Sequence, residues 1–563
     1  MGLLQKKKKV DLSGRSMPGQ AAKSGGETSS LRPKYVEKMP PCMEGCPGGT
    51  RIRDVLTTIA QTEKKGRTWD ESYTQAWHII TDRNPLPAVC GRVCPHPCEE
   101  SCNRAKKEGP VAINNVERFI GDYGIEKGLR PRLLTEEKRP ERIAVIGSGP
   151  AGLSCAYHLA RRGYGVTVFE AFSRGGGMLR YGIPAYRLPR DVLDAEIRRI
   201  AEMGVEFRYS TVVGKDLAYE SLAADFRAVF VAIGAHRGKD LGVAGEDAEN
   251  VWTGVGFLNM VNSGRPVDIG DRVLVIGGGD TAIDAARISR RLGAKEVTIL
   301  YRRTRQEMPA IAEEVDETIA EGVKVDLLVA PTEVLRQGSR AVGLRCIRME
   351  LGEPDESGRR RPVPIEGSGF VLEATAIIPA ISQEPDFTGF DSFHSGRDWI
   401  RTDDEWRTPV EKAYAGGDAL KLGLVTIAIA QGRKAAEAID RHVRGLNPPP
   451  AGEMPLIKYD KMLLDWYQGA ERHEGRKIAA SERLGALDIE VARTLSEDEI
   501  KAEVARCMSC GMCMECENCW KYCQDNAVIR PSSPAEKFAF KLEFCQGCKK
   551  CAENCPCGYV DML

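Results

Sequence analysis

No run of eighteen apolar residues occurs anywhere in this 563-residue chain, so no membrane-spanning helix is expected. Neither sign of charge is in excess, since 80 Lys and Arg stand against 80 Asp and Glu. Such a balance carries no electrostatic footprint for nucleic acid. The Lys6–Lys9 run is not followed by an apolar stretch, so it reads as a solvated tail and not as a secretory signal. A cytoplasmic location is the expectation, and with it reduced thiols.

The middle of the chain has almost no cysteine. Of 19 in the whole sequence, only Cys155 and Cys346 lie between Cys102 and Cys507, and both read as small apolar core residues. Cys42, Cys46, Cys90, Cys94, Cys98 and Cys102 form one terminal group, and Cys507 through Cys557 form the other. Clustered thiols that stay reduced point to metal rather than to disulfides.

The C-terminal group contains a repeated pattern. Cys513-Met-Glu-Cys516-Glu-Asn-Cys519-Trp-Lys-Tyr-Cys523 has the spacing C-x2-C-x2-C-x3-C, which recurs at Cys545, Cys548, Cys551 and Cys555. Tight x2 loops let three thiolates cap three corners of a cubane, while the distant fourth ligates the other cluster. One [4Fe–4S] cluster is therefore assigned to Cys513, Cys516, Cys519 and Cys555, and a second to Cys545, Cys548, Cys551 and Cys523. A pair of four-cysteine zinc sites is the competing use of these residues. Gln524 stands where a proline often follows the first run, while Pro556 follows the second. Cys507, Cys510 and Cys557 are surplus, either free thiols or groups with a role near a cluster.

Two nucleotide loops occupy the middle. Arg142–Ile146 reads as a strand, and Gly147-Ser-Gly149-Pro150-Ala151-Gly152 opens a helix behind it. The glycines allow a tight turn and close approach of a pyrophosphate to the helix N-terminus. Glu170 ends the next strand, 23 residues after Gly147, where a ribose hydroxyl finds its partner. A second copy runs from Arg272–Ile276 into Gly277-Gly-Gly279-Asp280-Thr281-Ala282. No acid ends its following strand; Arg302, Arg303 and Arg305 stand there instead. A basic cluster suits a 2′-phosphate, which favours NADP(H) over NAD(H). A third element, Ala413-Tyr-Ala-Gly416-Gly417-Asp418, is a strand ending in an acid that can bond a ribityl hydroxyl. The helix that follows, containing Thr426, presents its N-terminus toward a flavin.

These motifs resemble the small (beta) subunit of NADPH-dependent glutamate synthase, and related modules of dihydropyrimidine dehydrogenase and of NADH-dependent ferredoxin:NADP reductase. The resemblance covers residues 36–445. It rests on Gly91-Arg-Val-Cys94-Pro-His-Pro-Cys98-Glu, Gly175-Gly-Gly177-Met-Leu-Arg-Tyr-Gly182-Ile183-Pro184, Ala232-Ile-Gly-Ala, Gly277 to Asp284, Tyr301 to Pro309, and Ala415 to Asp418. It implies FAD in the first nucleotide domain, NADP(H) or NAD(H) in the second, and Gly182, Ile183 and Pro184 near the flavin ring. It also implies an N-terminal cluster held by Cys46, Cys94, Cys98 and Glu117. The family's further C-x-x-C before Cys42 is missing, so a second N-terminal cluster, which would have used Cys42 and Cys102, is expected to be lost. A four-thiolate set drawing on Cys42 or Cys102, and a zinc or purely structural use of these cysteines, stay open.

The expected architecture is α/β in several domains. An extended tail over 1–35 precedes a helical iron–sulfur domain over 36–139. Two Rossmann-like domains follow, with an NAD(P) domain over 271–375 inserted into an FAD domain over 140–270 and 376–445. A linker and helical segment over 446–505, with helical patterns at Tyr459–Trp466 and Glu490–Ala505, leads to an α+β bacterial ferredoxin-like domain over 506–563. FAD, NADP(H) and three [4Fe–4S] clusters are expected.

The parts read as a wire between NAD(P)H and a protein partner, since a flavin accepts both hydride and single electrons. That partner would be a ferredoxin, a 2-oxoacid:ferredoxin oxidoreductase or another iron–sulfur enzyme subunit, in a hetero-oligomer. No catalytic acid or base is assigned. A glutamate synthase beta subunit proper and a docking module with structural clusters are the rival readings.

Overall fold

Arg142–Ile146 and Arg272–Ile276 are buried on both faces after their first residue, as strands inside a parallel sheet covered by helices must be. Each is an inner strand of such a sheet in this computed structural model. The structure describes residues 28–563 except 357, 395–398, 449, 451, 453, 534 and 535. The Lys6–Lys9 run and most of the expected tail lie outside the described residues. Among those described, no helix is long and apolar enough to cross a membrane.

The described residues form two compact units, one of Met39–Tyr459 with Gln468–Cys510, the other of residues 28–38, Asp460–Tyr467 and Gly511–Leu563. In the larger unit, the first sheet runs Ala413–Ala415, Ala228–Val231, Arg142–Ile146, Gly165–Phe169, Glu206–Arg208, all parallel. The second runs Ala376–Pro379, Arg272–Ile276, Glu296–Tyr301, Lys324–Leu327, also parallel. The second sheet lies between parts of the first in sequence, so one nucleotide domain is inserted in the other. An antiparallel meander of Val329–Gln337, Arg340–Pro354, Arg360–Pro364 and Phe370–Glu373, not expected from the sequence, extends the inserted domain.

Four helices, Ile52–Ala60, Trp69–Thr81, Pro87–Val93 and Ile113–Glu126, build the N-terminal part of this unit. Residues expected as a linker belong to their core. Ile500 and Val504, four apart on the helix Glu497–Ala505, pack with Ile52, Leu56 and Ile59. That helix begins at the Ser496 and Glu499 capping box rather than at Glu490, because Ser496 supplies the orphan amides of the first turn with an acceptor. Tyr459–Trp466 forms two short 3-10 turns and not a helix.

The smaller unit repeats itself. Two short helices, Asn518–Lys521 and Lys550–Glu553, each follow a left-handed residue, Glu517 with φ 68° and Lys549 with φ 63°. Two antiparallel ladders accompany them, Val528–Ile529 with Ala539–Phe540 and Val560–Met562 with Pro33–Tyr35. The end of the expected tail is therefore a strand. Its Tyr35 ring lies 4.5 Å from Phe540 and 5.2 Å from Tyr559.

Candidate functional site

The first glycine loop borders a cavity of about 460 Å³, lined by Gly147, Gly149, Pro150 and Ala151 on one side and Gly417 and Asp418 on the other. Gly147 has φ +96°, and a Cβ there would lie 2.3 Å from the Ala232 carbonyl oxygen. Gly152 does not line the cavity; a Cβ at that position would stand 1.9 Å from the Gly147 oxygen, so its hydrogen lets the helix Pro150–Ala160 start against the turn. Glu170 is buried at the cavity wall, where its carboxylate accepts from the amides of Ser148 and Phe172, both at 2.8 Å. It thereby ties together the two loops that face the space. Gly177 and Ile183 line the same cavity, whereas Gly182 packs on Met178.

Asp418 accepts from the Gly423 amide at 3.1 Å, and burial pushes its carboxyl up to about 6. Lys215, His236, Asp386 and Thr388 also line the cavity. Sequence reasoning missed them because each is a single polar residue on a loop, outside any motif. The His236 imidazole is pushed down to about 4 by burial. Space, backbone donors at a helix start and buried acids fit an extended dinucleotide such as FAD.

A second, small cavity is lined by Cys46, Cys94, Cys98 and Glu117. Glu117 is held by Asn84 at 2.8 Å, and burial pushes it up to about 7. Burial and the neighbouring Glu117 push Cys94 up to about 12. Thr426 lines this cavity rather than the larger one, with its hydroxyl buried beside the Cys94 thiol. Leu424 and Val425, just before it, line the larger cavity. The start of the helix Val425–Arg444 is thus a wall common to both.

In the inserted domain, Gly277 has φ +149° and opens the helix Asp280–Arg291. The Asp280 carboxylate accepts from the Ile311 amide at 3.1 Å, and the methyl of Thr281 faces Gly254. Arg302 is exposed at the end of Glu296–Tyr301. Arg303 is buried instead, donating to Asp355 at 2.8 Å and to the Arg360 oxygen at 2.7 Å. Of the two arginines, Arg302 alone stands in solvent; Arg303 anchors the meander.

In the smaller unit the thiols sort across the two runs. Burial and the thiols of Cys513, Cys516 and Cys555 push Cys519 up to about 12. Burial and those of Cys545, Cys548 and Cys523 do the same to Cys551. Cys557 Sγ lies 3.8 Å from Cys555 Sγ, and that hydrogen bond holds the Cys555 thiol below its ordinary value. Tyr35 is pushed up by burial and by Cys519, Cys513 and Cys551. Among the described residues, no three His, Cys, Asp or Glu side chains are close enough to share one metal ion. Three thiols on a tight loop with a fourth from the other run are the donor set that a cubane takes at its four corners.

Comparison with known proteins agrees with this geometry. Residues 141–432 match the pyridine nucleotide-disulphide oxidoreductase family. Residues 35–129 match the family described as dihydropyrimidine dehydrogenase domain II, 4Fe-4S cluster. The chain is 39% identical over 545 residues to the NADP(+)-dependent formate dehydrogenase subunit beta of Moorella thermoacetica, covering 88% of this chain and 74% of that protein. It is 38% identical over 527 residues to the NADPH-Fe(3+) oxidoreductase subunit beta of Geobacter sulfurreducens, covering 85% and 76%. The Escherichia coli glutamate synthase (NADPH) small chain is 36% identical over 423 residues, covering 71% and 88%. The chain therefore belongs to the pyridine nucleotide-disulphide oxidoreductases, within the iron–sulfur group that includes the glutamate synthase small chain and these NADPH-linked beta subunits.

Proposed function

We propose that this chain is the NADPH-linked electron-transfer subunit of a larger redox complex, working through FAD and [4Fe–4S] clusters. The observation that carries the reading is the common wall at Leu424–Thr426, with the large cavity on one side and the cavity of Cys46, Cys94, Cys98 and Glu117 on the other. When bound, FAD supplies the exchange between two-electron hydride chemistry and one-electron cluster chemistry.

The chain's own residues do the positioning. The loop from Gly147 to Ala151 offers backbone amides to a pyrophosphate, Glu170 braces that loop, and Asp418 faces the far side of the cavity. Arg302 stands where a 2′-phosphate is met, which supports NADP(H) over NAD(H). Cys46, Cys94, Cys98 and Glu117 hold one cluster. Cys513, Cys516, Cys519 and Cys555 hold a second, and Cys545, Cys548, Cys551 and Cys523 a third, in a ferredoxin-like unit. The relatives that match across most of the chain are beta subunits, which supports a hetero-oligomer whose partner is another iron–sulfur enzyme subunit, in the cytoplasm.

Anaerobic titration tests the reading. NADPH is expected to bleach the bound flavin and then the iron–sulfur absorption. No bleaching with NADPH or NADH would sink it, and bleaching with NADH alone would overturn the cofactor preference.

A further inference from the structure

Cys507 and Cys510 are surplus to the ferredoxin-type runs, and the larger unit gives them neighbours. They line a small cavity together with Cys42 and Cys102. With Cys90 fully buried in the core, these are the two remaining thiols of the N-terminal group once Cys46, Cys94, Cys98 and Glu117 are grouped. No other cysteine lines that cavity. We propose that Cys42, Cys102, Cys507 and Cys510 hold an additional [4Fe–4S] cluster, with the C-x2-C pair from the far end of the chain replacing the one absent before Cys42.

Packing makes the meeting specific. The helix Glu497–Ala505 inserts Ile500 and Val504 among Ile52, Leu56 and Val111. Glu503 then accepts from the Ala112 amide at 2.7 Å, and Arg506 donates to the Pro110 oxygen at 2.9 Å. The segment therefore leaves its helix pinned beside Cys42 and Cys102. The spacing of Cys507 and Cys510 is the tight loop that caps two corners of a cubane.

The surroundings suit an anionic cluster. Ligation requires that each thiol lose its proton, and the resulting charge needs compensation in a buried site. Arg53 and Arg104 line the cavity and are both almost fully buried. Asn103 donates its amide toward Cys510 Sγ at 3.6 Å, and the Ser509 amide donates to Cys507 Sγ at 3.5 Å. Such N–H to sulfur bonds stabilise ligating thiolates and tune the potential.

The site also falls into a series. Leu56 and Ile113 line both this cavity and that of Cys46, Cys94, Cys98 and Glu117, which in turn meets the flavin cavity at Leu424–Thr426. A cluster here extends the path by one carrier.

The test counts metal in the full-length holoprotein prepared without oxygen. About sixteen iron and sixteen sulfide per chain are expected, against about twelve for three clusters. About twelve, or one zinc per chain in place of the missing iron, would overturn the proposal. In the double variant Cys507→Ala and Cys510→Ala, iron is expected to fall by about a quarter, and unchanged iron would overturn it. FAD content of the same samples reports folding. Should that variant not fold, Cys510→Ser in the reduced protein is expected to shift one electron paramagnetic resonance signal among several, and an unaltered spectrum would overturn the proposal. NADPH bleaching of the wild-type flavin is read separately, so loss of this cluster and loss of the oxidoreductase reading are distinguishable.

Discussion

Asn84 Nδ2 donates to Glu117 Oε1 at 2.8 Å, while Asn84 Oδ1 accepts from the Leu86 amide at 3.0 Å. The amide is thereby fixed in one orientation, and it holds a partly buried carboxylate at the wall that Cys46, Cys94 and Cys98 also line. In the proposed ligand set, the group that fastens this carboxylate matters nearly as much as the carboxylate itself. Asn84→Leu is expected to speed iron loss to a chelator about tenfold. Glu117→Cys is expected to keep the iron and shift the cluster's reduction potential, and Glu117→Ala to lose about four iron per chain. Iron analysis and a redox titration check all three.

Arg302 and Arg303 are adjacent in sequence and opposite in environment. Arg302→Glu is expected to lower kcat/KM for NADPH at least tenfold while leaving NADH nearly unchanged, because one charge-assisted phosphate contact is worth about 1.5–3 kcal/mol. Arg303→Ala is expected to leave the NADPH to NADH ratio alone and to lower Tm, since it removes the bonds to Asp355 and the Arg360 oxygen. Steady-state kinetics with both nucleotides and a thermal melt separate the two.

Gly152→Ala places a methyl 1.9 Å from the Gly147 oxygen. Backbone cannot yield there as a flexible side chain would, so the turn must open. Overpacking of this kind costs about 1–3 kcal/mol. The expected result is protein that purifies with little FAD, read from the flavin absorbance after denaturation, while NADPH binding to the inserted domain persists.

His236 gives a pH dependence with a definite sign. Burial holds its imidazole at about 4, below its ordinary 6.5. Between those values the unfolded chain binds more protons than the folded one, so stability falls as pH drops from about 6.5 toward 4. Above that window the residue contributes nothing to the slope. Replacing it, as in His236→Gln, is expected to flatten the fall in Tm across the window by this one group's share, measured against the wild-type curve.

The glycine loops were legible because their requirements are local. A tight turn, an open approach and a helix start are all properties of a few consecutive residues, as at Gly147–Gly152 and Gly277–Ala282. Thr426 shows the limit. Its place at a helix start was readable, but one helical turn has several faces, and packing turned its hydroxyl to the cysteine-lined cavity while Leu424 and Val425 took the larger one. The acid at Glu170 was also readable as a position, though not its bonds to Ser148 and Phe172.

Spacing within each cysteine run is a covalent property, so the number of thiols available to a tight loop was determined by the sequence alone. Grouping thiols across distance is not. Cys507 and Cys510 stand six and three residues before Cys513 along the chain, and sequence proximity ties them to the ferredoxin-type runs. The tertiary structure decided otherwise. Burying Ile500 and Val504 against Ile52 and Leu56 carries the two thiols to Cys42 and Cys102. Apolar burial of one short helix made that choice, and no local pattern records which surface a helix will cover.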